Sequence, residues 1–424
     1  MSESCNSRHF SWLMKSCFPN PNDKSLSPHH HHQHHQPLKV AAPTLSSLPD
    51  DLLLECLSRL PATSLPAAAS VCRRWSRVLD SPAFSDLRRL HGLLRPSVFA
   101  LSSLDSALLS ASLRLDPGPG PDPLWRVSLF LPDGGGGGGL PPACFQGLVA
   151  HARLAAIGPR IYIIGRNAVA RYDTWTGTVA SRSPMTFPRK KFAVAVHSGR
   201  IYVAGGGGRT SAVEEYDPDC DVWSVVSHAP RRRYGCVGAS VDGVFYVIGG
   251  LRIGPPTAGG TDPSRAAGAE AHVYASSMDL YDVEARGWLR SRAVPGGGCV
   301  VAACAAVGHV YVLASHALEL SFWSFDARRR GGGFGEWSRA KSPPLPAQVR
   351  LDSTVKFSCV GAGDKVVLVQ AAGCIDDLLR RSGRSEKGLR EGLVLVYDTA
   401  AGEWSRGADL PEVIARAACA CVEC

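Results

Sequence analysis

The hydrophobic pattern of the chain changes twice. Residues 1–43 are mixed polar, with almost no periodic apolar positions, and contain a His/Gln run. From residue 44 to about residue 90 glycine is absent and apolar residues recur every three or four positions, which predicts helices. Beyond residue 95 short apolar runs alternate with Gly, Pro and Asp, which predicts strands joined by turns. We therefore predict a disordered low-complexity tail over 1–43, a helical domain over 44–90 and a β-domain over 96–424.

A leucine-rich stretch from Leu48 to Pro61 predicts the first helix. Proline and acidic residues near its start favour a first helical turn, and Pro61 cannot continue the helix. One face of this helix carries three leucines, namely Leu53, Leu57 and Leu60. So short a domain cannot bury this many apolar side chains in a core of its own. We therefore expect a partner protein to cover part of the apolar face.

Two further helices are predicted in this domain. A short one begins near Ser64, and the next carries Val71, Trp75 and Leu79 on one face and ends at Ser81. The alternative to a docking role for the apolar residues of this domain is that several of them, Val71 and Trp75 above all, form its internal core.

The β-domain contains an internal repeat in which an aromatic residue and Asp are followed by Trp. The Trp lies seven residues after the aromatic residue in three copies, which begin at Tyr216, Tyr281 and Tyr397. Three altered copies bring the number to six; they begin at Leu115, Tyr172 and Phe325. Each copy predicts a small antiparallel sheet that cannot bury both faces alone. We therefore predict that the sheets stack radially into a closed ring.

Between the copies lies an apolar strand that ends in a glycine pair. The pair is intact at Gly205-Gly206 and Gly249-Gly250, where it permits a turn that side chains would obstruct. At the end of the chain, the segment Arg416–Cys421 is typical of the opening strand of another repeat. The strand Ser97–Leu101 lacks such a partner, so we predict that these two strands pair and seal the ring.

These patterns resemble two known families. The repeats over residues 96–424 resemble the kelch repeat, which implies a β-propeller. The elements Leu-Pro-x-Asp-Leu, Leu-x-x-Leu-Pro and Val-Cys-x-x-Trp resemble the F-box. We therefore predict a mainly β fold, a six-bladed kelch-type β-propeller preceded by a small all-α F-box domain. The F-box resemblance implies docking to the Skp-family adaptor of a cullin–RING ubiquitin ligase through Leu48, Pro49, Leu52, Leu53, Leu57, Leu60, Pro61, Leu65, Val71 and Trp75.

The propeller is expected to bind the target protein at the mouth of its channel. Kelch proteins that recognise acidic peptide loops carry arginines there, and a basic mouth favours an acidic segment of a target. Aligning the repeats places basic residues in recurring positions around the opening strands. The predicted target-binding residues are Arg189, Lys191, Arg233, Tyr234, Lys356 and Arg416. Solvated surface charge is the alternative interpretation of the same residues.

Composition narrows the class of partner. The formal net charge is +9, and no basic block of the kind used by nucleic-acid-binding modules concentrates it, so no nucleic-acid partner is expected. The N-terminus lacks the apolar core of a signal peptide and no apolar run of membrane-spanning length occurs, so no membrane partner is expected. We place the protein in the cytoplasm, the nucleus or both, where its 14 cysteines remain thiols.

No catalytic, cofactor or metal motif stands out. The sequence Cys419-x-Cys421-x-x-Cys424 lacks the second ligand pair of a structural zinc site, and alternating cysteines in a final strand is the favoured interpretation. Some propellers of this class are copper oxidases, but no His/Tyr cluster occupies the corresponding positions. We therefore predict a protein that is not an enzyme and needs no cofactor.

The two resemblances together imply the substrate-recognition subunit of an SCF-type ubiquitin ligase. Such a subunit acts by proximity, because it holds a target near the ubiquitin-transfer machinery. F-box and kelch repeats in one chain are characteristic of plants. Similar plant proteins direct phenylpropanoid and flavonoid enzymes or light-signalling components to degradation, and the sequence does not choose between these targets. A non-degradative binding scaffold and, less favoured, a propeller enzyme are the alternative functions.

Overall fold

The computed structural model describes eleven stretches of the chain, which are residues 48–104, 107–115, 124–130, 148–149, 152–207, 210–252, 274–316, 319–329, 334–345, 355–373 and 392–424. Two compact units are distinguished, Met1–Leu48 and Pro49–Cys424. Leu48 is the described residue of the first unit. The predicted tail over residues 1–43 lies outside the described residues.

The second unit opens with four short helices, which are α1 (Asp50–Ser58), α2 (Leu65–Val71), α3 (Arg73–Leu79) and α4 (Pro82–Leu90). Asp50 and Asp51 occupy the first turn of α1, where carboxylates interact favourably with the helix dipole. Cys72 has extended backbone dihedrals and separates α2 from α3. The prediction of one helix carrying Val71, Trp75 and Leu79 is therefore wrong, because Val71 ends α2 and the other two residues belong to α3.

The β-domain follows. Its strands are β1 (Pro96–Leu104), β2 (Ala107–Arg114), β3 (Arg126–Phe130), β4 (Arg153–Ile157), β5 (Arg160–Ile164), β6 (Val169–Asp173), β7 (Val179–Arg182), β8 (Ala193–His197), β9 (Arg200–Ala204), β10 (Ala212–Asp217), β11 (Val222–His228), β12 (Arg233–Tyr234), β13 (Val237–Val241), β14 (Val244–Ile248), β15 (Leu251–Arg252), β16 (Ser277–Asp282), β17 (Gly287–Ala293), β18 (Cys299–Ala306), β19 (His309–His316), β20 (Glu319–Asp326), β21 (Trp337–Ala340), β22 (Lys356–Ala362), β23 (Lys365–Ala372), β24 (Val394–Asp398), β25 (Glu403–Arg406) and β26 (Ala418–Glu423).

These strands form the six four-stranded antiparallel sheets of a β-propeller, as predicted. Blade 1 has the order β26-β1-β2-β3, blade 2 is β4-β5-β6-β7 and blade 3 is β8-β9-β10-β11. Blade 4 is β13-β14-β16-β17, blade 5 is β18-β19-β20-β21 and blade 6 is β22-β23-β24-β25. A two-stranded ribbon of β12 and β15 adjoins blade 4 in sequence. The first strand of each order is the innermost strand and lies at the centre of the ring.

The ring closes in blade 1 as the sequence predicts. Strand β26 pairs antiparallel with β1, with Phe99 opposite Ala420 and Ala100 opposite Cys419. A strand from the far end of the chain thus supplies the innermost position of the first blade. This pairing covers a sheet edge that would otherwise be open to another chain.

The Trp of the aromatic–Asp–Trp repeat joins blades 1, 3, 4 and 6 to the blade before each of them. In blade 3, Tyr216 lies opposite Trp223 with ring centroids 4.9 Å apart, and Trp223 Nε1 donates to the carbonyl oxygen of Ser183 in blade 2. The Asp217 carboxylate accepts a hydrogen bond from the Asp219 backbone N–H and so caps the turn to the last strand. The same indole donation crosses the ring closure, where Trp125 Nε1 donates to the Ala408 carbonyl.

The glycine pairs lie where two blades approach through their backbones. Gly205 and Gly206 have φ of +73° and +71°, in the left-handed region that favours glycine. The Gly206 N–H donates to the Arg233 carbonyl oxygen at 2.8 Å, which joins blade 3 to the ribbon strand before blade 4. A Cβ on Gly206 would lie 2.6 Å from the Lys190 carbonyl oxygen. The Lys190 N–H in turn donates to the Gly206 carbonyl oxygen, so this backbone of the same blade cannot move away without losing that hydrogen bond.

Gly206→Ala is therefore expected to destabilise the propeller by about 2–4 kcal/mol, from left-handed strain and steric overlap together. Chemical denaturation of the purified protein would measure this loss. Gly199→Ala is the matched control, because Gly199 also has positive φ but a Cβ there meets nothing within 4 Å. Equal losses for the two variants would show that left-handed strain alone, not steric overlap with the Lys190 carbonyl, requires glycine at position 206.

Candidate functional site

The innermost strands surround a central cavity of about 530 Å³. Its wall consists mostly of Val, Ala and Gly from β4, β8, β13, β18, β22 and β26. Four basic residues line it, and the described lining residues include no Asp or Glu. We call these residues the channel cations; they are Arg153, Lys191, Lys356 and Arg416. Their charges are uncompensated within the wall, so the cavity favours an anionic ligand.

All four channel cations belong to the same end of the ring, which we call the entry end. Arg153 and Lys356 are the first residues of innermost strands β4 and β22. Lys191 and Arg416 each stand two residues before an innermost strand, β8 and β26. Because the innermost strands run in the same direction around the ring, their starting residues gather at one mouth of the channel.

Lys191 and Arg416 adopt an unusual backbone conformation, each with φ of +53°. The equivalent positions before β13 and β18 hold glycine, with φ of +80° at Gly235 and +67° at Gly297. A non-glycine residue in this region costs about 1 kcal/mol or more. The propeller therefore carries two exposed cations at positions where its own backbone prefers glycine, which supports a binding role for their side chains.

Arg153 is a channel residue that sequence reasoning missed. Its guanidinium reaches across two neighbouring blades, with Nε donating to the Phe192 carbonyl and Nη2 to the Cys236 carbonyl. Burial lowers the pKa of Arg153. Its guanidinium is a cation near neutral pH, as arginine is in proteins generally. A single basic residue at the start of a strand gave no signal in the sequence, because only the closed ring turns it towards the channel.

The structure corrects the prediction that Arg189 and Arg233 bind the target. Each side chain is only 1% exposed. Arg189 donates through Nε and Nη2 to one Glu214 carboxylate oxygen, at 2.9 and 2.7 Å, and through Nη1 to the Gly205 carbonyl. Arg233 is likewise paired with a buried acid, because its Nε lies 2.7 Å from Asp279 Oδ2. These arginines hold their blades together and are not available to a ligand.

The buried acids that pair with Arg189 and Arg233 indicate this structural role in the sequence. Glu214 and Asp279 each lie two residues before the aromatic residue of their repeat, in the two blades that carry a buried arginine. In blades 2, 5 and 6 the same position holds Ala170, Trp323 and Leu395. The paired occurrence of arginine and acid indicates an ion pair within the blade.

The remaining predicted target-binding residues do lie at the channel mouth. Lys191, Lys356 and Arg416 are exposed and line the cavity. Tyr234 is half-buried in the short ribbon, and its ring lies 5.6 Å from Lys191 Nζ. The aromatic ring thus supports the lysine through a cation–π contact. The structure therefore brings four of the six predicted residues to one mouth and adds Arg153 beside them.

The predicted adaptor-binding residues separate into three groups. Those inside the helical core are Leu53, Leu57 and Leu65. Those half-buried are Leu48, Leu60 and Trp75. Those exposed are Pro49, Leu52, Pro61 and Val71. Leu52 is 53% exposed and Val71 is 59% exposed, so the alternative interpretation of Val71 as an internal core residue is wrong. Leucine and valine at such exposure leave apolar surface for a partner to cover.

The inner face of the helices is completed by the propeller itself. Leu53, Leu57 and Phe84 form the helical core together with Trp175, which lies in the turn between β6 and β7. The expected outside partner is therefore needed only for the outer face, where Leu52 and Val71 lie. This arrangement could not be inferred from the helical segment alone, since Trp175 is about a hundred residues away in sequence.

The cysteines are thiols in the described residues. Burial raises the pKa of Cys419 and of Cys421 to about 12, so both remain protonated at neutral pH. Within the described stretches, no three or more His, Cys, Asp or Glu side chains are grouped as a metal site would need. The helices described in these stretches are too short or too polar to cross a bilayer.

Known proteins match both parts of the chain. Residues 45–86 match the F-box domain and residues 188–229 match the Kelch motif. The F-box/kelch-repeat protein At1g67480 of Arabidopsis thaliana is 30% identical over 49% of this chain and 55% of its own length. The F-box/kelch-repeat protein At5g26960 of the same plant is 64% identical over 100% of both chains. Because this relative matches from end to end, the chain belongs to the plant F-box/kelch-repeat protein family.

Proposed function

We propose that this protein is the substrate-recognition subunit of an SCF-type cullin–RING ubiquitin ligase. The observation that carries the proposal is the pair of separate surfaces in one chain. One is the exposed apolar outer face of an F-box domain, represented by Leu52 and Val71, and the other is the cationic mouth of a kelch propeller. The first suits a Skp-family adaptor and the second suits a protein target.

The proposed mechanism is proximity. The F-box binds the adaptor and through it the cullin–RING core, while the propeller binds the target at the channel mouth. Ubiquitin is then transferred to target lysines at raised effective concentration. In this scheme the chain itself performs no bond chemistry and works in the cytoplasm, the nucleus or both. Phenylpropanoid or flavonoid enzymes and signalling proteins are the target classes that we propose.

The target segment that best fits the mouth is acidic. Four cations face a cavity whose described wall carries no carboxylate, and Arg153 presents a guanidinium anchored by two backbone carbonyls. An Asp- or Glu-rich loop would supply the missing counter-charges. Arginine can take a carboxylate with two parallel hydrogen bonds, and the lysines add charge around it.

Removing the exposed channel cations is expected to weaken binding of an acidic probe by about tenfold, because each exposed ion pair contributes up to about 1 kcal/mol. The triple variant Lys191→Gly, Lys356→Gln, Arg416→Gly tests this with a fluorescent Glu-rich peptide at low salt. Glycine suits the left-handed backbone at two of these positions, so the charge is removed without adding strain.

A matched control removes the same number of charges elsewhere on the propeller. Arg126→Gln, Arg290→Gln and Lys341→Gln alter exposed residues that do not line the cavity. This control should bind the peptide as the natural protein does. Equal weakening in both triple variants would mean that only net charge attracts the probe, and the channel would lose its proposed role.

Reconstitution tests the function as a whole. The full-length chain, mixed with a purified Skp-family adaptor, a cullin and a RING subunit, should elute as one complex and support ubiquitin transfer. Proteins captured by the chain in plant cells should accumulate when the proteasome is inhibited. Stable capture with no accumulation and no ubiquitin transfer would instead identify a non-degradative scaffold.

A further inference from the structure

The F-box helices pack on blade 2 through a tryptophan. Trp175 is 6% exposed, and its ring meets Phe84 of α4 edge-on, with centroids 5.2 Å apart. The Arg88 guanidinium lies 5.7 Å from the Trp175 ring and donates to the carbonyls of Ser58 and Leu60, just past the end of α1. One propeller side chain thus packs against α4, whose Arg88 in turn holds the end of α1.

Ion pairs surround the apolar contact between Trp175 and the helices. Arg160 in blade 2 donates to Asp80 Oδ1 at 2.6 Å and also approaches Asp173, whose carboxylate holds the Trp175 turn. Arg89 of α4 pairs with Glu423 of β26. Isolated surface ion pairs contribute little to stability, but several around one buried ring restrict how the two domains can rotate.

The linker between the F-box helices and the propeller is also short and fixed. Five residues, 91–95, join α4 to β1. Arg95 exchanges two backbone hydrogen bonds with Cys424, at 3.0 and 3.1 Å, so the linker is already part of the blade 1 sheet. Cys424 packs against the helical core as well. The linker therefore leaves little freedom for the helices to swing.

The helices contact the end of the propeller opposite the channel cations. Cys424 follows the end of innermost strand β26, and Arg160 follows the turn after innermost strand β4. Trp175 follows β6, which runs in the same direction as β4 and ends on the same side of the blade. The channel cations stand where the innermost strands begin. A strand of five or six residues separates the two ends by about 17–20 Å. The target mouth and the adaptor surface therefore lie at opposite ends of blades 1 and 2.

Blade 2 differs from its neighbours in the position of its Trp, which suits contact with the F-box helices. In blades 3 to 6 the repeat Trp packs against its own aromatic partner, but the same position in blade 2 holds Val179. Its Trp lies instead in the turn and faces the helices. The buried Trp175 Nε1 finds no hydrogen-bond acceptor among the described residues. The ring itself, rather than its polar atom, makes the contact.

We propose that Trp175 is a positioning residue that makes the F-box and the propeller one rigid body. A target at the entry end is thereby presented to the ubiquitin-transfer machinery at a fixed distance and angle. The rigid coupling is a property of this chain alone, whereas its consequence for ubiquitin transfer rests on the proposed function. Loss of the Trp175 ring would leave both binding surfaces intact but loosen the geometry between them.

Single-molecule energy transfer tests the coupling without any ligase activity. Fluorophores introduced as non-natural residues at exposed Arg59 and Val222 report the distance between α1 and blade 3 in the full-length chain alone. We expect one narrow distribution for the natural protein and for Trp175→Phe, which keeps a ring and removes the unpaired N–H. Trp175→Ala should broaden it. Trp404→Ala, which removes a half-buried indole from blade 6, should not.

Self-ubiquitination of the reconstituted ligase provides the functional readout, since the propeller's own lysines stand at known places. Lys190, Lys191 and Lys356 lie at the entry end and Lys365 at the other. In the natural protein transfer should favour a narrow subset of them. Trp175→Ala should reduce that preference by about tenfold, as small misplacements change transfer rates strongly. A purely structural weakening would lower modification of all lysines in proportion.

The possible outcomes test separately the positioning role of Trp175 and the proposed ligase function. An unchanged distance distribution in Trp175→Ala would overturn the positioning role, whatever the ligase does. A broadened distribution with an unchanged lysine pattern would likewise remove Trp175 from ubiquitin transfer. If the natural protein forms no active ligase at all, the proposed function fails while the energy-transfer result still decides the coupling.

Discussion

Leu52→Asp combined with Val71→Asp is expected to abolish adaptor binding while the protein stays folded. Both side chains are more than half exposed, so Asp at either position meets water in the free protein. In the complex each charge would be buried against an apolar partner surface without a counter-ion. We expect the affinity for a Skp-family adaptor to fall at least about 100-fold, as for central apolar residues of other interfaces. Calorimetric titration would measure the loss.

The neighbouring leucine supplies the matched control. Leu53 is 2% exposed and belongs to the helical core, so Leu53→Ala should lower the thermal midpoint and cost about 2–5 kcal/mol of stability. The Asp variants should keep the melting temperature of the natural protein. If they melted early, Leu52 and Val71 would be core residues after all. If they bound the adaptor normally, the adaptor-binding surface would lie elsewhere on the helices.

Arg189→Leu should destabilise the propeller by about 3–5 kcal/mol, because it leaves the Glu214 carboxylate buried without its cation. Glu214 is fully buried, and the remaining donor to it is the Thr186 backbone N–H. The change also removes the donors to the carbonyls of Gly205 and Ala212. Denaturation with urea would measure the loss, with the slope unchanged if only stability is affected.

The double variant Arg189→Leu, Glu214→Leu separates the two costs. The double variant no longer has a buried carboxylate without its cation, but the two backbone carbonyls still lack their donors. We therefore expect it to recover part of the stability that Arg189→Leu loses. The double variant should also bind the Glu-rich peptide as tightly as the natural protein does, because neither residue reaches the channel. Weaker peptide binding with intact stability would restore Arg189 to the target-binding set.

Sequence repeats predicted the fold well because they report contacts that recur in every blade. The aromatic residue, Asp and Trp each have a local role, in packing, turn capping and contact with the preceding blade. The packing role persists even where the spacing changes, as in blade 5, where the rings of Phe325 and Trp337 lie 4.9 Å apart. Blades 5 and 6, which lack the glycine pair, still form; their second strands, β19 and β23, extend to eight residues where β9 and β14 have five.

The candidate site was predicted only in part, because a position in a repeat does not specify the direction of a side chain. Arg189 and Lys191 are two residues apart, yet the first is buried within the blade and the second faces the channel. The difference arises because both residues lie in the loop before β8, where Lys191 has a positive φ and Glu214 holds the arginine inside. Arg153 and Trp175 gave no signal, since their partners are distant in sequence.

The sequence by itself determined the two domains, the six-bladed ring and its closure by β26, because each follows from local periodicity or from a repeat. The tertiary structure alone decided which basic residues face the channel, which leucines remain exposed and how the F-box docks on blade 2. These properties depend on groups brought together from distant parts of the chain, such as Trp175 with Phe84 or Arg189 with Glu214. Only a folded chain can set a buried charge against its counter-ion or complete a helical core with a ring from another domain.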